Sequence, residues 1–321
     1  MGKQSSLIKQ MFSIGIICFV FSSPYYAKAS QYDIHDAQQK ISLQFDATIT
    51  TAHKDILQQW VIHSSDALKT VYGEFPVDHF ITKIKASNSN SGVVPWGEVS
   101  RDTPPEVLLV VNVNSNLVEL KNDWTIYHEF SHLLIPYDGG NSRWLSEGLA
   151  SYYQNVLQAR SGMFSEQKMW QKLYDGFERG RKQTNYNHQT LSYVSEHMRD
   201  NNNYMRVYWS GALFWLKADV ELRKLNNGYS LDKALLQLRQ CCFSKSLSAT
   251  EIIIQLDSLS KSKVFSSLHQ TFANSFTIPN FQHTLSELGI SQQAGKITLS
   301  PDGQLVQLRE NMFLGGLVTA K

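Results

Sequence analysis

Two histidines lie four residues apart in HEFSH, the segment 128–132. Residues four apart in an α-helix lie on the same face, so His128 and His132 can present two imidazoles to one metal ion. Glu129 is rotated by about 100° from His128 around the helix axis. It can therefore stand beside the ion without binding it, in the place of a base that takes a proton from water. The segment predicts a zinc site with hydrolytic chemistry.

A third ligand is expected, because catalytic zinc usually has three protein ligands and one open position. One candidate is Asp138, six residues after His132. The H-E-x-x-H-x-x-G-x-x-H/D pattern of the metzincins has its last ligand there. The glycine of that pattern is replaced by Ile135, and a β-branched residue disfavours the tight turn that the pattern requires. Asp138 followed by two glycines is also typical of a turn that ends a helix.

The other candidate is Glu147 in RWLSEGLASYYQ, near the start of a second predicted helix. Fourteen residues separate it from His132, which is enough for a loop that brings the second helix across the first. A carboxylate on an otherwise apolar helix face needs a partner, because burial of an unpaired charge is costly. Zinc is the simplest partner, and an interaction with the helix dipole is the alternative. We expect one Zn²⁺ ion bound by His128, His132 and Glu147, with Asp138 as the competing ligand.

The segments around these residues predict an α+β fold. HFITKIKAS (79–87) alternates apolar and polar residues, and EVLLVVNV (106–113) is a continuous apolar run of strand length. Residues 87–105 between them are polar and rich in proline, which indicates a loop or an irregular sheet edge. A small amino-terminal β-sheet should therefore precede a mainly helical bundle. Helices are predicted at 52–73, 144–158, 164–177 and 204–225, and a further one after Ser230.

The first 29 residues have the pattern of an export signal. Lys3 and Lys9 precede an apolar run at 11–21, and Ala27-Lys28-Ala29 resembles a cleavage site before Ser30. An uncleaved membrane anchor is the alternative. We expect an exported protein, periplasmic or secreted, with a catalytic domain at 30–280 and a tail at 281–321. A hairpin is predicted within the tail at 296–308.

The charge balance argues against nucleic acid as a partner. Removal of the three signal lysines changes the formal net charge from +2 to 2 − 3 = −1, and such a chain lacks the basic surface that phosphates require. No second long apolar stretch follows the signal, so no membrane span is expected after cleavage. The oligomeric state is not predicted.

Cys241 and Cys242 are adjacent, and they are the cysteines that remain after signal removal. An exported protein held together by disulfides would have more cysteines at wider spacing. We therefore expect stability to come from a packed core, and buried or reduced thiols in preference to a strained vicinal disulfide.

HEFSH followed by WLSEGLASYY resembles the gluzincin zinc peptidases, in which H-E-x-x-H and a glutamate on the next helix bind zinc. Further along, YWSGALFWLKADVELRKLNNGYSLDKAL resembles the glycyl aminopeptidase-like family, with the aminopeptidase N family as more distant relatives; the resemblance covers roughly 96–235. It implies a thermolysin-like catalytic domain that hydrolyses a peptide or protein substrate. It also implies that Glu129 is the base and that the Tyr208 hydroxyl stabilises the oxyanion. Tyr204 is the nearest competitor for that last role.

The chain departs from the aminopeptidase N pattern in one motif. Those enzymes carry a G-x-M-E-N segment whose glutamate holds the substrate amine, and here only Pro95–Gly97 resembles its end. Glu98 could substitute, although a loop salt bridge or solvation also explains it. The choice between aminopeptidase and endopeptidase stays open. The alternative functions are an exported zinc-site scaffold without turnover and a metzincin-like endopeptidase that uses Asp138.

Overall fold

A mixed five-stranded sheet forms the amino-terminal part of the computed structural model, which describes residues 31–88, 91–225 and 228–315. The predicted signal at 1–29 lies outside these residues. The strands are β1 (Gln31–Asp36), β2 (Gln39–Phe45), β3 (His79–Ser87), β4 (Trp96–Ser100) and β5 (Glu106–Asn112). Their spatial order is β1-β2-β3-β5-β4, in which β2, β3 and β5 are parallel. β1 and β4 run antiparallel to their neighbours and form the two edges.

The two predicted strands, β3 and β5, form the centre of the sheet. In β3, Phe80 and Ile84 are buried on one face, as the alternating sequence requires. β5 also buries every second residue, although its sequence is apolar throughout. β1, β2 and β4 were not predicted: the first two lie in a polar lead-in, and β4 lies inside the segment expected to be a loop or sheet edge.

Twelve helices follow or flank these strands in the described residues. They are α1 (Thr51–Lys69), α2 (Leu117–Asn122), α3 (Thr125–Ser131), α4 (Arg143–Arg160), α5 (Glu166–Lys182), α6 (Leu191–Glu196), α7 (Tyr204–Lys224), α8 (Leu231–Cys242), α9 (Ala249–Ser260), α10 (Val264–Ala273), α11 (Gln282–Glu287) and α12 (Gly303–Leu314). A sheet followed by a helical bundle confirms the predicted α+β class. Among the described residues, no helix combines the length and the apolar composition that a bilayer crossing needs.

α4 and α7 cross at two glycines, and this crossing is the centre of the bundle. A Cβ atom built on Gly148 would lie 2.2 Å from the carbonyl carbon of Gly211, far inside a normal contact. Only residues without side chains allow the two backbones to come so close. The Trp215 indole N–H donates to the Leu145 carbonyl oxygen at 2.8 Å and ties the helices together beside the crossing.

In the carboxy-terminal part, the predicted hairpin lies earlier in the chain, and the predicted turn is the start of a helix. The hairpin consists of β6 (Ile290–Gln293) and β7 (Lys296–Leu299), and it ends before the predicted turn at 301–303. Asp302 instead caps α12, because its Oδ1 accepts from the backbone N–H of Gln304 at 3.0 Å. The segment also packs on the bundle, where the buried Arg309 donates to Glu166 at 2.8 Å.

Cys241 and Cys242 form a vicinal disulfide in this structure. The expectation of buried or reduced thiols was therefore wrong. Spacing alone favoured separate thiols, because adjacent cysteines can bond only in a narrow range of backbone geometries.

Candidate active site

Three predicted ligands come together where α3 meets α4. His128 lies in α3, His132 begins a 3₁₀ turn directly after it, and Glu147 lies in α4, five residues into the helix. The Nε2 atoms of His128 and His132 lie 3.3 and 3.7 Å from Glu147 Oε2. One donor atom from each residue lies within 4.8 Å of the others.

This geometry fits a tetrahedral zinc ion. Donors at about 2.0–2.1 Å from zinc lie about 3.3–3.4 Å from one another, close to the distances between Glu147 and the two imidazoles. Two nitrogens and one carboxylate oxygen are also an ordinary donor set for catalytic zinc. The predicted cofactor, one zinc ion, is therefore compatible with the residues present.

Both imidazoles are oriented by side chains of α4. His128 Nδ1 lies 2.8 Å from Gln154 Oε1, and His132 Nδ1 lies 3.0 Å from Ser146 Oγ. The glutamine oxygen can only accept, so His128 carries its proton on Nδ1 and leaves Nε2 free for a metal. The same tautomer of His132 lets its Nδ1–H donate to Ser146. Neighbours of this kind fix the direction of metal-binding histidines.

Arg101 supports this arrangement and was not predicted. Its Nη2 donates to Ser146 Oγ at 3.2 Å, and its Nη1 donates to the Ile135 carbonyl oxygen at 3.2 Å. Its guanidinium also lies 5.3 Å from the centre of the Tyr137 ring. Arg101 thus connects the sheet edge to His132 through one hydroxyl group. No sequence pattern indicates Arg101, because it lies in the segment expected to be irregular.

The pKa values of His132 and Glu147 favour metal binding, whereas the pKa of His128 is raised, because its burial is outweighed by the hydrogen bond and charge of Glu147 and the charge of Glu129. Burial lowers the pKa of His132 to about 3, so its imidazole is neutral at pH 7. Burial alone would raise the pKa of Glu147, but the adjacent His132 and His128 outweigh it and lower the value to about 2. A neutral imidazole and an ionised carboxylate are the forms that bind metal.

Glu129 is buried beside the three donors, as the helical rotation predicts. Burial raises the pKa of Glu129 to about 7, and the negative charges of Glu147 and Glu98 act in the same direction. Gly97 of β4 makes room for it, because a Cβ atom there would lie 2.6 Å from Glu129 Cγ. A carboxyl group whose pKa lies near neutral pH suits a residue that exchanges protons.

Tyr208 lies closer to the three donors than its competitor Tyr204. Its ring stacks on His128 with the centroids 5.7 Å apart. Burial, and then the negative charge of Glu147, raise the pKa of Tyr208 well above its usual value, so the phenol keeps its proton. Tyr204 packs edge-on against Tyr208 at 6.2 Å, one ring further from His128.

Asp138 occupies the turn that its sequence context favoured. The Asp138 Oδ1 atom accepts a hydrogen bond from the backbone N–H of Gly140 at 2.8 Å, and Asp138 is exposed. Ile135 has extended backbone at φ −136°, so the chain does not make the metzincin turn there. Glu98 is an exposed residue of β4, and it lies close enough to Glu129 for its charge to act on that carboxyl group.

Known proteins are similar to this chain in the segment that follows HEFSH and in the fold. The sequence model of the M61 glycyl aminopeptidase family matches residues 137–214, a range that includes Glu147 and Tyr208. An aminopeptidase N family protein from Idiomarina loihiensis is structurally similar, with a TM-score of 0.62 and 16% sequence identity over 83% of this chain. The chain therefore has an M1 aminopeptidase-like fold.

A second similar structure is an M1 zinc metallopeptidase mutant from Deinococcus radiodurans bound to a Tyr-ser-ala substrate. Its TM-score is 0.52 at 15% identity over 79% of this chain. The chain spans about half the length of these solved proteins, 50% and 53% respectively. Comparison with curated proteins finds no match. The findings confirm the predicted fold class, and the predicted resemblance is confirmed as a partial match to the M61 family model and a fold like that of M1 zinc metallopeptidases.

Proposed function

We propose that this protein is a zinc-dependent peptidase that hydrolyses peptide bonds in an exported compartment. The observation that carries the proposal is the meeting of His128, His132 and Glu147, whose donor atoms all lie within 4.8 Å of one another, a group that could hold a zinc ion. The family match and the fold of M1 zinc metallopeptidases support the same reaction class. The substrate is a peptide or a protein.

Zinc, when bound, supplies Lewis-acid chemistry, which acidifies a coordinated water molecule and polarises a carbonyl group. Glu129 accepts the proton that the attacking water loses, and it later returns that proton to the leaving amine. Its carboxyl group is buried against Gly97, close enough to His128 and Glu147 for their charges to act on its pKa. Tyr208 keeps its proton at neutral pH, so its hydroxyl donates a hydrogen bond to the negative charge that develops on the carbonyl oxygen.

The activity test is digestion of a peptide library by the zinc-loaded protein, with a chelator control and the variant Glu129→Gln. We expect cleavage by the native protein, loss of cleavage after chelation, and loss of cleavage in Glu129→Gln with the zinc content retained. Full activity of Glu129→Gln would remove this residue from the mechanism. Zinc content without cleavage of any peptide would favour the exported scaffold instead. Cleavage confined to the first residue of each peptide would identify an aminopeptidase.

The proposed location rests on the sequence of residues 1–29, which has a basic start, an apolar run and a small-residue cleavage pattern. Expression of the full chain, followed by cell fractionation and amino-terminal sequencing, tests it. We expect the mature chain in the exported fraction with Ser30 as its first residue. An intact amino terminus in the membrane fraction would indicate the uncleaved anchor.

A further inference from the structure

A cavity of about 320 Å³ opens beside the zinc-binding residues. Tyr208 and Gln154 both line it. The Tyr208 ring stacks on the face of the His128 imidazole, and Gln154 Oε1 contacts its Nδ1. Trp124 and Trp209 supply apolar surface on other sides. The cavity therefore adjoins the His128 side of the site, within reach of a group that lies a few residues from the cleaved bond.

Two cations on α5 line the same cavity. Lys172 and Arg179 are seven residues apart, so they lie on one side of the helix. Within the described ranges, no carboxylate oxygen lies within 4.0 Å of either cationic group. Both residues are exposed, so water also reaches them. Partial loss of hydration lowers the pKa of both side chains, and the positive charges of Lys168 and Arg179 lower the pKa of Lys172 further. The Lys172 ammonium also lies 5.1 Å from the centre of the Phe164 ring. This contact involves no carboxylate, so both cationic groups can still bind an anion that enters the cavity.

One acid, Asp175, lies between these cations on the cavity wall. Its Oδ1 accepts a hydrogen bond from Gln171 Nε2 at 2.9 Å. It cancels one of the two positive charges, so the three groups Lys172, Asp175 and Arg179 carry a net charge of +1. The cavity therefore still favours an anionic group over a neutral or cationic one.

The position of Arg179 is fixed by its neighbours. Its guanidinium lies 4.8 Å from the centre of the Trp209 ring, which is a cation–π contact. Trp209 is itself held against the backbone of α5 by Gly176, where a Cβ atom would lie 2.1 Å from the indole ring. Arg179 is consequently directed at the cavity before any ligand arrives, which reduces the entropy cost of binding.

We propose that this cavity is a substrate subsite that binds a carboxylate of the peptide, either an acidic side chain or the free carboxyl terminus. The proposal rests on the proposed peptidase function. The indole rings contact the aliphatic part of the bound residue, and Lys172 and Arg179 bind its carboxylate. Preferred substrates therefore carry an acidic group within a few residues of the cleaved bond.

The test measures kcat/KM for peptide pairs that differ only by Glu or Gln at one position, each made with a free or an amidated carboxyl terminus. We expect at least one position at which Glu is cleaved about tenfold faster than Gln, or a similar advantage of the free acid over the amide. The first result identifies a side-chain carboxylate as the ligand, and the second identifies the chain terminus.

The double variant Lys172→Gln/Arg179→Gln should reduce that preference to about one. Lys182→Gln is the matched control, because Lys182 is an exposed lysine of the same helix that does not line the cavity. It should keep the tenfold preference. Charge reversal in Lys172→Glu/Arg179→Glu should favour peptides with lysine at the same position.

Binding to the Glu129→Gln variant separates this inference from the proposed function. Calorimetry with the same peptide pairs should give a Kd about tenfold lower for the acidic member, and the Lys172→Gln/Arg179→Gln changes should remove the difference. Acidic preference in binding without hydrolysis by the native protein would contradict the peptidase function and leave the subsite intact. Hydrolysis and binding without any acidic preference would overturn the subsite.

Discussion

Replacement of Gly211 by alanine tests whether the close crossing of α4 and α7 positions the site. A Cβ atom at Gly211 would lie 2.0 Å from the Trp144 carbonyl oxygen and 2.6 Å from Gly148 Cα. Ordinary contacts begin near 3.4 Å, so the helices must separate by about 3.4 − 2.0 = 1.4 Å. Overpacking costs about 1–3 kcal/mol, and the opposing atoms here belong to backbone that cannot rotate away. We expect a loss of about 3 kcal/mol in the free energy of unfolding.

Two assays follow this change. Thermal unfolding of the metal-free protein should show Tm lowered by about 6–12 °C, at about 2–4 °C per kcal/mol. Zinc affinity, measured by competition with a chromophoric chelator, should fall by about tenfold or more, because Glu147 directly precedes Gly148 and zinc ligands tolerate displacements of only about 0.2 Å. Gly303→Ala is the control, since a Cβ atom there meets nothing within 4 Å.

Whether Gly211→Ala lowers or raises the free energy of unfolding distinguishes a close helix crossing from an ordinary helix position. Without the close contact, alanine in a helix interior would stabilise the protein by about 1 kcal/mol relative to glycine. A Gly211→Ala protein as stable as Gly303→Ala, with unchanged zinc affinity, would therefore refute the role of the crossing.

Three further perturbations have expected outcomes. Arg101→Gln should lower zinc affinity by about 10–100-fold, because it removes the donor that holds Ser146 against His132; unchanged affinity in chelator competition would contradict this. Gly97→Ala should lower kcat by at least about tenfold with zinc content retained, because the new Cβ displaces Glu129 from its position; native kcat would contradict it. Burial lowers the pKa of His269 below 6.5, the ordinary pKa of a histidine. As the pH falls below 6.5, His269 therefore binds a proton in the unfolded chain before it does so in the folded protein. The contribution of neutral His269 to stability is present above pH 6.5 and should be lost below it. Between pH 7.5 and 5.5, Tm should therefore fall less in His269→Gln than in the native protein.

The sequence predicted the parts of the site that depend on local geometry. The pairing of His128 with His132 and the offset of Glu129 follow from the helical repeat alone. Glu147 was predicted because an ionised group on an apolar helix face needs a partner. The structure brings the three metal-binding candidates together with Glu129 next to them, and it places Asp138 in a turn.

The parts that depend on long-range contacts were not predicted. Gly97 and Arg101 lie in a segment without periodicity, and only the pairing of β4 with β5 places them beside the site. β1 is exposed along most of its length, so its sequence lacks the apolar alternation that identifies a strand. The Asp302-Gly303 pair suits a turn and a helix start equally well, and packing of the following segment decides for the helix.

Whether Glu147 completes a zinc site with His128 and His132 is tested by the zinc stoichiometry of the purified protein and of two carboxylate variants, measured by mass spectrometry of the native proteins. We expect one zinc ion per chain in the native protein, loss of the ion in Glu147→Ala, and retention of the ion in Asp138→Ala. Retention in Glu147→Ala together with loss in Asp138→Ala would contradict this expectation.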